Sequence, residues 1–315
     1  MAFCPILPKP FRMGSRGYQG FLTDVGNEEP RHQVELTGCW PGETSLEEPK
    51  VFFMGQTPVT RAQYRGLVNL SGIEPEPDKE DLAGKDDHPV VRVSWNHCQR
   101  LIAGLNGLDD LEASLIAAGI PKDYRFRFPT EAEWEYACRA DTDTEYYTGD
   151  GEAALGKAGW YYGNAADDTH PVKQKAENDF DLSDMHGNVW EWCLDGYDSA
   201  AYAKRPAGKK DPFVRAETED SRRVRRGGSW VDAPGDCRSA VRLRNHSGFR
   251  VGDLGFRLCL SSGPVDGVPG DEAEPVKGAE RSGATDSATG AGGAEDDNSY
   301  QTSLTPPPPV RPSDI

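Results

Sequence analysis

Apolar residues recur at helical spacing in three stretches of this chain, each opened by a residue suited to capping a helix. Thr60 precedes an amphipathic run over residues 60–68, and Gln63 occupies the reciprocal capping position three residues on. Ser94 opens a second run to residue 105, where Cys98, Leu101, Ile102 and Leu105 form one apolar stripe. Residues 111–118 extend or follow it. Thr130 opens a third helix over 131–140, with Glu133 completing a capping box. Strand patterns are shorter. Residues 51–54 read as one, and residues 124–128 as another, with aromatics alternating with Arg125 and Arg127. Beyond residue 140 the pattern predicts long loops interrupted by short strands, the last at 224–227, 239–244 and 255–260. The expected class is α+β, rich in loops and poor in regular structure.

Composition sharpens this picture. The hydrophobic share is 36%, and there are 35 glycines and 24 prolines in 315 residues. All seven tryptophans and all seven cysteines lie before residue 261, whereas Tyr300 is the single aromatic after it. Residues 1–260 therefore read as the folded domain. Residues 261–315, with ten acidic against three basic residues, cannot bury enough apolar surface to offset their ordering entropy, and read as a disordered acidic tail. Its Pro306 to Pro309 run favours polyproline II. A net charge of −17 argues against broad contact with nucleic acid. The local exception, four arginines between Arg222 and Arg226, reads as a solvated strand edge. No apolar stretch reaches membrane-spanning length, and residues 1–15 show no export signal, so a cytoplasmic location with reduced, buried cysteines is expected.

Eight ordered motifs carry a family resemblance. They are Phe11-Arg12-Met13-Gly14-Ser15, Glu29-Pro30-Arg31-His32-Gln33-Val34, Thr57-Pro58-Val59-Thr60 with Gln63-Tyr64, and His88-Pro89-Val90-Val91 with Val93-Ser94-Trp95. Then come the run from Phe126 to Ala137, the run from Met185 to Trp192, Arg226-Gly227-Gly228-Ser229-Trp230, and Gly255-Phe256-Arg257. Over residues 11–260 the chain resembles the formylglycine-generating enzyme, or sulfatase-modifying factor, family, which implies its C-type lectin fold.

That resemblance also sets an expectation for chemistry. The family's enzymes oxidise a sulfatase cysteine using two cysteines, five residues apart, whose thiolates hold copper(I), a soft ion that prefers sulfur. Counted from Gly227-Gly228-Ser229, the first position falls on Asp232 and the second on Cys237. Half the pair is absent, so no copper and no oxidase activity are expected, and Cys237 reads as a packing residue. The six histidines form no iron-binding motif, and His186 reads as a turn residue rather than a base.

Residues 227–260 are similar, in addition, to the variable region of proteins diversified by retroelements, which use this fold as a frame. Variation in those proteins arises at asparagine codons, from which Lys, Glu, Gln, Met and Trp cannot be reached. Twelve positions between frame residues satisfy that limit: Val231, Asp232, Ala233, Asp236, Val241, Leu243, Asn245, His246, Phe249, Val251, Gly252 and Asp253. The implied function is non-catalytic binding of a protein or peptide ligand, with Leu243 and Phe249 as apolar anchors and the Asp, Asn and His side chains supplying hydrogen bonds. A formylglycine-generating oxidase-like enzyme, or a non-catalytic relative of one, is the alternative. The resemblance further implies a structural calcium held by Asp184 and Glu191 side chains and by the Gly187 and Val189 carbonyls, oxygen donors that suit a hard cation, and a lesser site near Asn164 and Asp168.

Overall fold

A computed structural model describes residues 1–15, 25–39, 49–218 and 220–263. Contacts divide the chain into Met1–Ala273 and Glu274–Ile315. The second unit lies outside the described residues, and so does the expected disordered tail from residue 264 on; its first positions, Ser261 and Ser262, are instead buried in the last strand, so the fold runs past residue 260.

The strands in chain order are β1 (Phe3–Ile6), β2 (Phe11–Met13), β3 (His32–Glu35), β4 (Phe52–Gly55), β5 (Tyr124–Arg127), β6 (Gly159–Trp160), β7 (His186–Gly187), β8 (Trp190–Gly196), β9 (Lys209–Lys210), β10 (Arg222–Arg226), β11 (Arg242–His246), β12 (Leu254–Phe256) and β13 (Cys259–Ser262). The helices are α1 (Arg61–Ser71), α2 (Lys79–Leu82), α3 (Trp95–Asn106), α4 (Leu111–Ala117), α5 (Glu131–Arg139), α6 (Glu152–Ala158) and α7 (Ala201–Lys204). Two four-stranded sheets dominate, ordered β1-β4-β13-β5 and β11-β10-β8-β12. The mixture is α+β, as expected.

The three predicted caps form. Thr60 and Thr130 each make a reciprocal capping box with Gln63 and Glu133, and Ser94 Oγ accepts from His97 N at 3.1 Å. The second sheet divides the core. Along β8, Trp190 and Trp192 join an apolar cluster with Trp95, Leu101, Phe128 and Phe256. Cys193 points the other way, into a cluster with Trp134, Met54 and Val224. Both faces of β8 are thus buried, which is why it carries no hydrophobic alternation.

Helix α5 is buried on every side, its three glutamates included. Each meets an arginine: Glu131 accepts from Arg242 Nε at 2.6 Å, Glu133 from Arg127 at 2.7 Å, and Glu135 from Arg139 Nε at 2.9 Å and from Arg226. Burial works against the charge on Glu131 and Glu135, yet the facing arginines more than offset it and hold both carboxyls below their ordinary range. Buried charge persists only when matched in this way.

The arginine run at 222–226 is therefore not a solvated strand edge. It forms β10, an inner strand between β11 and β8. Arg226 is fully buried in the glutamate network, Arg223 lies 3.6 Å over the Trp95 ring, and Arg225 lies 4.5 Å over Trp190. Arg222 alone of the four is exposed.

Candidate functional site

The turn between β7 and β8 supports the site, hydrogen-bonding to residues 227–230. Gly187 has φ +72°, and a Cβ there would meet the Trp160 carbonyl oxygen at 2.0 Å, so only glycine fits. His186 is fully buried. Its Nδ1 lies 2.7 Å from the Cys237 carbonyl, and its Nε2 accepts from Tyr147 N at 3.2 Å, which assigns the proton to Nδ1. Burial pushes its pKa down to about 3, so it stays neutral and has no free nitrogen for base chemistry.

Gly228 lies in the loop hydrogen-bonded to this turn, where Gly187 N donates to the Gly227 carbonyl at 2.8 Å; it has φ +72° and a virtual Cβ only 2.5 Å from Cys237 Sγ. The same loop carries a polar cluster. Asp232 accepts from Trp190 Nε1 at 2.8 Å and from Ser229 Oγ by a short bond. Ser229 Oγ also reaches Asp253 Oδ2 at 3.2 Å. Burial raises the Asp232 pKa, and the neighbouring Asp253 adds to that. Asp236 is pushed up to about 7, by burial first and then by Asp232. Cys237 packs in a small cluster with Tyr146, Ala154, Leu155 and Tyr161, which contains no second sulfur. Burial, reinforced by Asp232 and Asp236, holds its thiol well above the ordinary range, so the thiolate is suppressed.

The twelve positions singled out in the sequence separate into two neighbouring groups and one exception. Val231, Asp232, Ala233, Asp236, Gly252 and Asp253 surround this cluster and are partly or fully exposed. Trp230 Nε1 donates to the Gly252 carbonyl at 3.4 Å and ties the two loops together. Leu243, Asn245 and His246 lie on the outer strand β11, followed by Phe249 and Val251, with Phe249 38% exposed. Val241 is the exception and a correction: it is 2% exposed and packs in the core beside Trp190 and Trp192, so it cannot face a ligand. Sequence reasoning placed Trp190 and Ser229 in the frame and overlooked Arg225. The available signal was register, since Arg225 pairs with Trp192 on one side and Leu243 on the other, bridging the two groups.

The expected calcium donors do not fit an open cation cage as they stand. Glu191 is buried against Arg257, which donates from Nη2 at 2.8 Å and Nε at 3.0 Å, and it also accepts from Trp134 Nε1 at 2.8 Å. Asp184 accepts from Lys173 N at 2.8 Å and Asn188 Nδ2 at 3.3 Å. Burial raises its pKa, and the neighbouring Glu191 adds to that. Gly187 and Val189 supply only carbonyls. At the lesser site, Asn164 Oδ1 accepts from Tyr161 N at 2.9 Å and Asp168 pairs with Lys85. No group of three or more His, Cys, Asp or Glu side chains is arranged to hold a metal among the described residues. No helix among them is long and apolar enough to cross a membrane.

The sulfatase-modifying factor enzyme 1-like domain matches residues 10–262, most of the chain. The protein belongs to that family. Among its relatives, the formylglycine-generating enzyme of Streptomyces coelicolor is 34% identical over 292 residues, covering 78% of this chain and 85% of the other. Treponema denticola variable protein 1 superposes with a TM-score of 0.61 at 26% identity, covering 83% of this chain and 95% of that one. PvdO from Pseudomonas aeruginosa has the same TM-score at 23% identity over 82% of this chain and 94% of its own, which shows the shared fold. The chain thus has the sulfatase-modifying-factor version of the C-type lectin fold, and a variable protein is among its structural neighbours.

Proposed function

We propose that this chain is a non-catalytic ligand-binding protein that presents side chains of residues 231–253 on a rigid C-type lectin frame. The observation that carries the reading is the setting of Cys237: fully buried, and packed among tyrosines and aliphatics rather than with a second sulfur. The resemblance puts Asp232 where the oxidases hold their other thiolate, and a carboxylate is a poor copper(I) ligand. The similarity to Treponema denticola variable protein 1 supports display in place of chemistry. A frame tied by buried Arg–Glu pairs orders the contact surface in advance, so a ligand meets little entropic opposition. A protein or peptide is the fitting ligand class, because the stretch offers both apolar side chains with exposed surface, Leu243 and Phe249, and partly exposed acids, Asp232, Asp236 and Asp253.

The experiment has two arms. In the DNA beside the coding sequence, a reverse transcriptase gene and a near-copy of the codons for 227–258, with asparagine codons at the variable positions, would support the reading. Incubation of the pure protein with copper(I) and a sulfatase peptide should produce no aldehyde; turnover would overturn it. The competing reading, an oxidase, is favoured by the 34% identity to a formylglycine-generating enzyme, and the second arm decides between them.

A further inference from the structure

Of the large hydrophobic side chains among the described residues, Tyr162 is the most exposed, at 62%. Its backbone is nonetheless fixed. Residues 161–164 form a tight turn in which Asn164 N donates to the Tyr161 carbonyl and Asn164 Oδ1 accepts from Tyr161 N, both at 2.9 Å. Asn164 Nδ2 donates to the Gly159 carbonyl at 3.1 Å. Tyr162 N donates to the Asp232 carbonyl at 3.0 Å, which sets the residue directly beside the proposed display. Its neighbour Tyr161 packs with Ala154 and Leu155 of α6 and with Cys237. The turn is therefore continuous with the loop of residues 232–237, although it lies some 70 residues earlier in the chain.

Acids border this turn. Glu152, exposed at the start of α6, accepts from the Tyr161 hydroxyl at 2.9 Å, and its carboxylate lies 3.3 Å from where a Cβ on Gly163 would stand. Partly exposed Asp236 lies on the turn Pro234–Cys237, which packs against α6. Neighbouring cations are already engaged. Lys175 donates to the Gly156 carbonyl at 2.9 Å and lies 3.9 Å over the Trp160 ring, and Arg238 is held by Glu28. Lys157 stands at the other end of α6 from Glu152. An anionic ligand meets repulsion here, and an apolar one covers the ring while stripping water from acids it cannot pair. A cationic side chain stacks on the electron-rich face of the tyrosine and faces a carboxylate at once. We infer that Tyr162 is a fixed aromatic anchor that extends the binding surface beyond residues 231–253 and takes an arginine or lysine side chain from a basic segment of the ligand. This deepens the proposed binding function and rests on it. The tight turn holds the ring ordered before the ligand arrives, as suits an aromatic contact at the centre of recognition.

The probe is the peptide acetyl-Gly-Arg-Gly-Arg-Gly-amide, compared with its Glu and Gln counterparts on the full chain labelled with fluorotyrosine. The fluorine resonance absent from Tyr162→Phe belongs to Tyr162. The arginine peptide should shift it saturably, and the other two should not. Tyr162→Ala should weaken binding about threefold to tenfold, whereas Tyr162→Phe, which keeps the ring, should stay within about twofold of wild type. Glu152→Gln, which keeps an acceptor for Tyr161, should weaken it about twofold. An unmoved Tyr162 resonance, equal binding of the glutamate peptide, or undiminished binding by Tyr162→Ala overturns the anchor. The binding reading fails separately. If peptides selected from a library lose affinity for Phe249→Ser but not for Tyr162→Ala, the anchor falls and the function stands; aldehyde formation in the copper(I) assay removes the function whatever the arginine peptide does.

Discussion

Replacing Cys237 with alanine separates a packing thiol from a reacting one. The side chain is fully buried, in a cluster with Tyr146, Ala154, Leu155 and Tyr161. Its Sγ also covers the bare Cα of Gly228, where a Cβ would lie only 2.5 Å away. Deletion removes one heavy atom and a weak contact to the Ser229 carbonyl at 4.0 Å. Losing a group of methylene size from a core costs about 0.5–1.5 kcal/mol. For a domain of this size that corresponds to a drop of roughly 2–5 °C in Tm. Urea unfolding and calorimetry measure this directly. A carbonyl-reactive probe applied to a sulfatase peptide should stay blank with both wild type and variant. The reasoning is refuted if wild type yields an aldehyde that Cys237→Ala does not. It is also refuted if the substitution costs more than about 3 kcal/mol, because packing alone does not reach that value here.

Two further perturbations test the Gly228 turn and the acid cluster. Gly228→Ala forces a left-handed φ of +72° on a residue with a Cβ and drives that carbon to 2.8 Å from Cys237 Cα and 2.9 Å from the Asp236 carbonyl; the strain and clash together should cost about 2–5 kcal/mol in denaturant unfolding, and an unchanged midpoint would contradict the geometry. Asp236, with its pKa raised to about 7, favours the folded state while protonated, so its contribution is present in acid and lost as pH rises from about 4 through 7. The full displacement is worth at most about 4 kcal/mol, and partial exposure leaves roughly 1–2. Asp236→Asn should therefore be more stable than wild type at pH 8 and should flatten that part of the stability profile; equal slopes for the two proteins would show that the carboxyl titrates normally.

Local signals made part of this architecture legible. Thr60, Ser94 and Thr130 each announce a helix through side-chain caps that need no distant partner. Strand β8 was hidden, because Trp190–Gly196 is buried on both faces and shows no alternation. The strand expected over 255–260 is two, β12 and β13, which belong to different sheets. The arginine run was misread for a related reason. The carboxylates that neutralise Arg226 lie on α5, some 90 residues earlier in the chain, and nothing local advertises them. At the candidate site, Asp232, Asp236 and Asp253 could be picked out because acids are unexpected among frame residues. Val241 could not be separated from them by composition, since only the fold shows that it turns inward. Arg225 became a site residue only once pairing placed it between Trp192 and Leu243.

Frame and display are separable within one stretch of 34 residues, and that makes a last prediction. Arg238 is buried against Glu28 with two bonds of 3.0 Å, Arg242 against Glu131, and Arg257 against Glu191. These ties run from the stretch to distant elements and hold its backbone in place. Ala233, His246 and Phe249, by contrast, are exposed. If this division is real, simultaneous replacement of His246 and Phe249 with serine should change unfolding free energy by less than about 1 kcal/mol, while Arg257→Met, which strands Glu191 as an unmatched buried charge, should cost about 3–5. Urea unfolding of the two variants side by side gives the comparison. Similar losses in both would mean that the exposed positions help hold the fold, and a surface built that way could not vary freely enough to serve as a display.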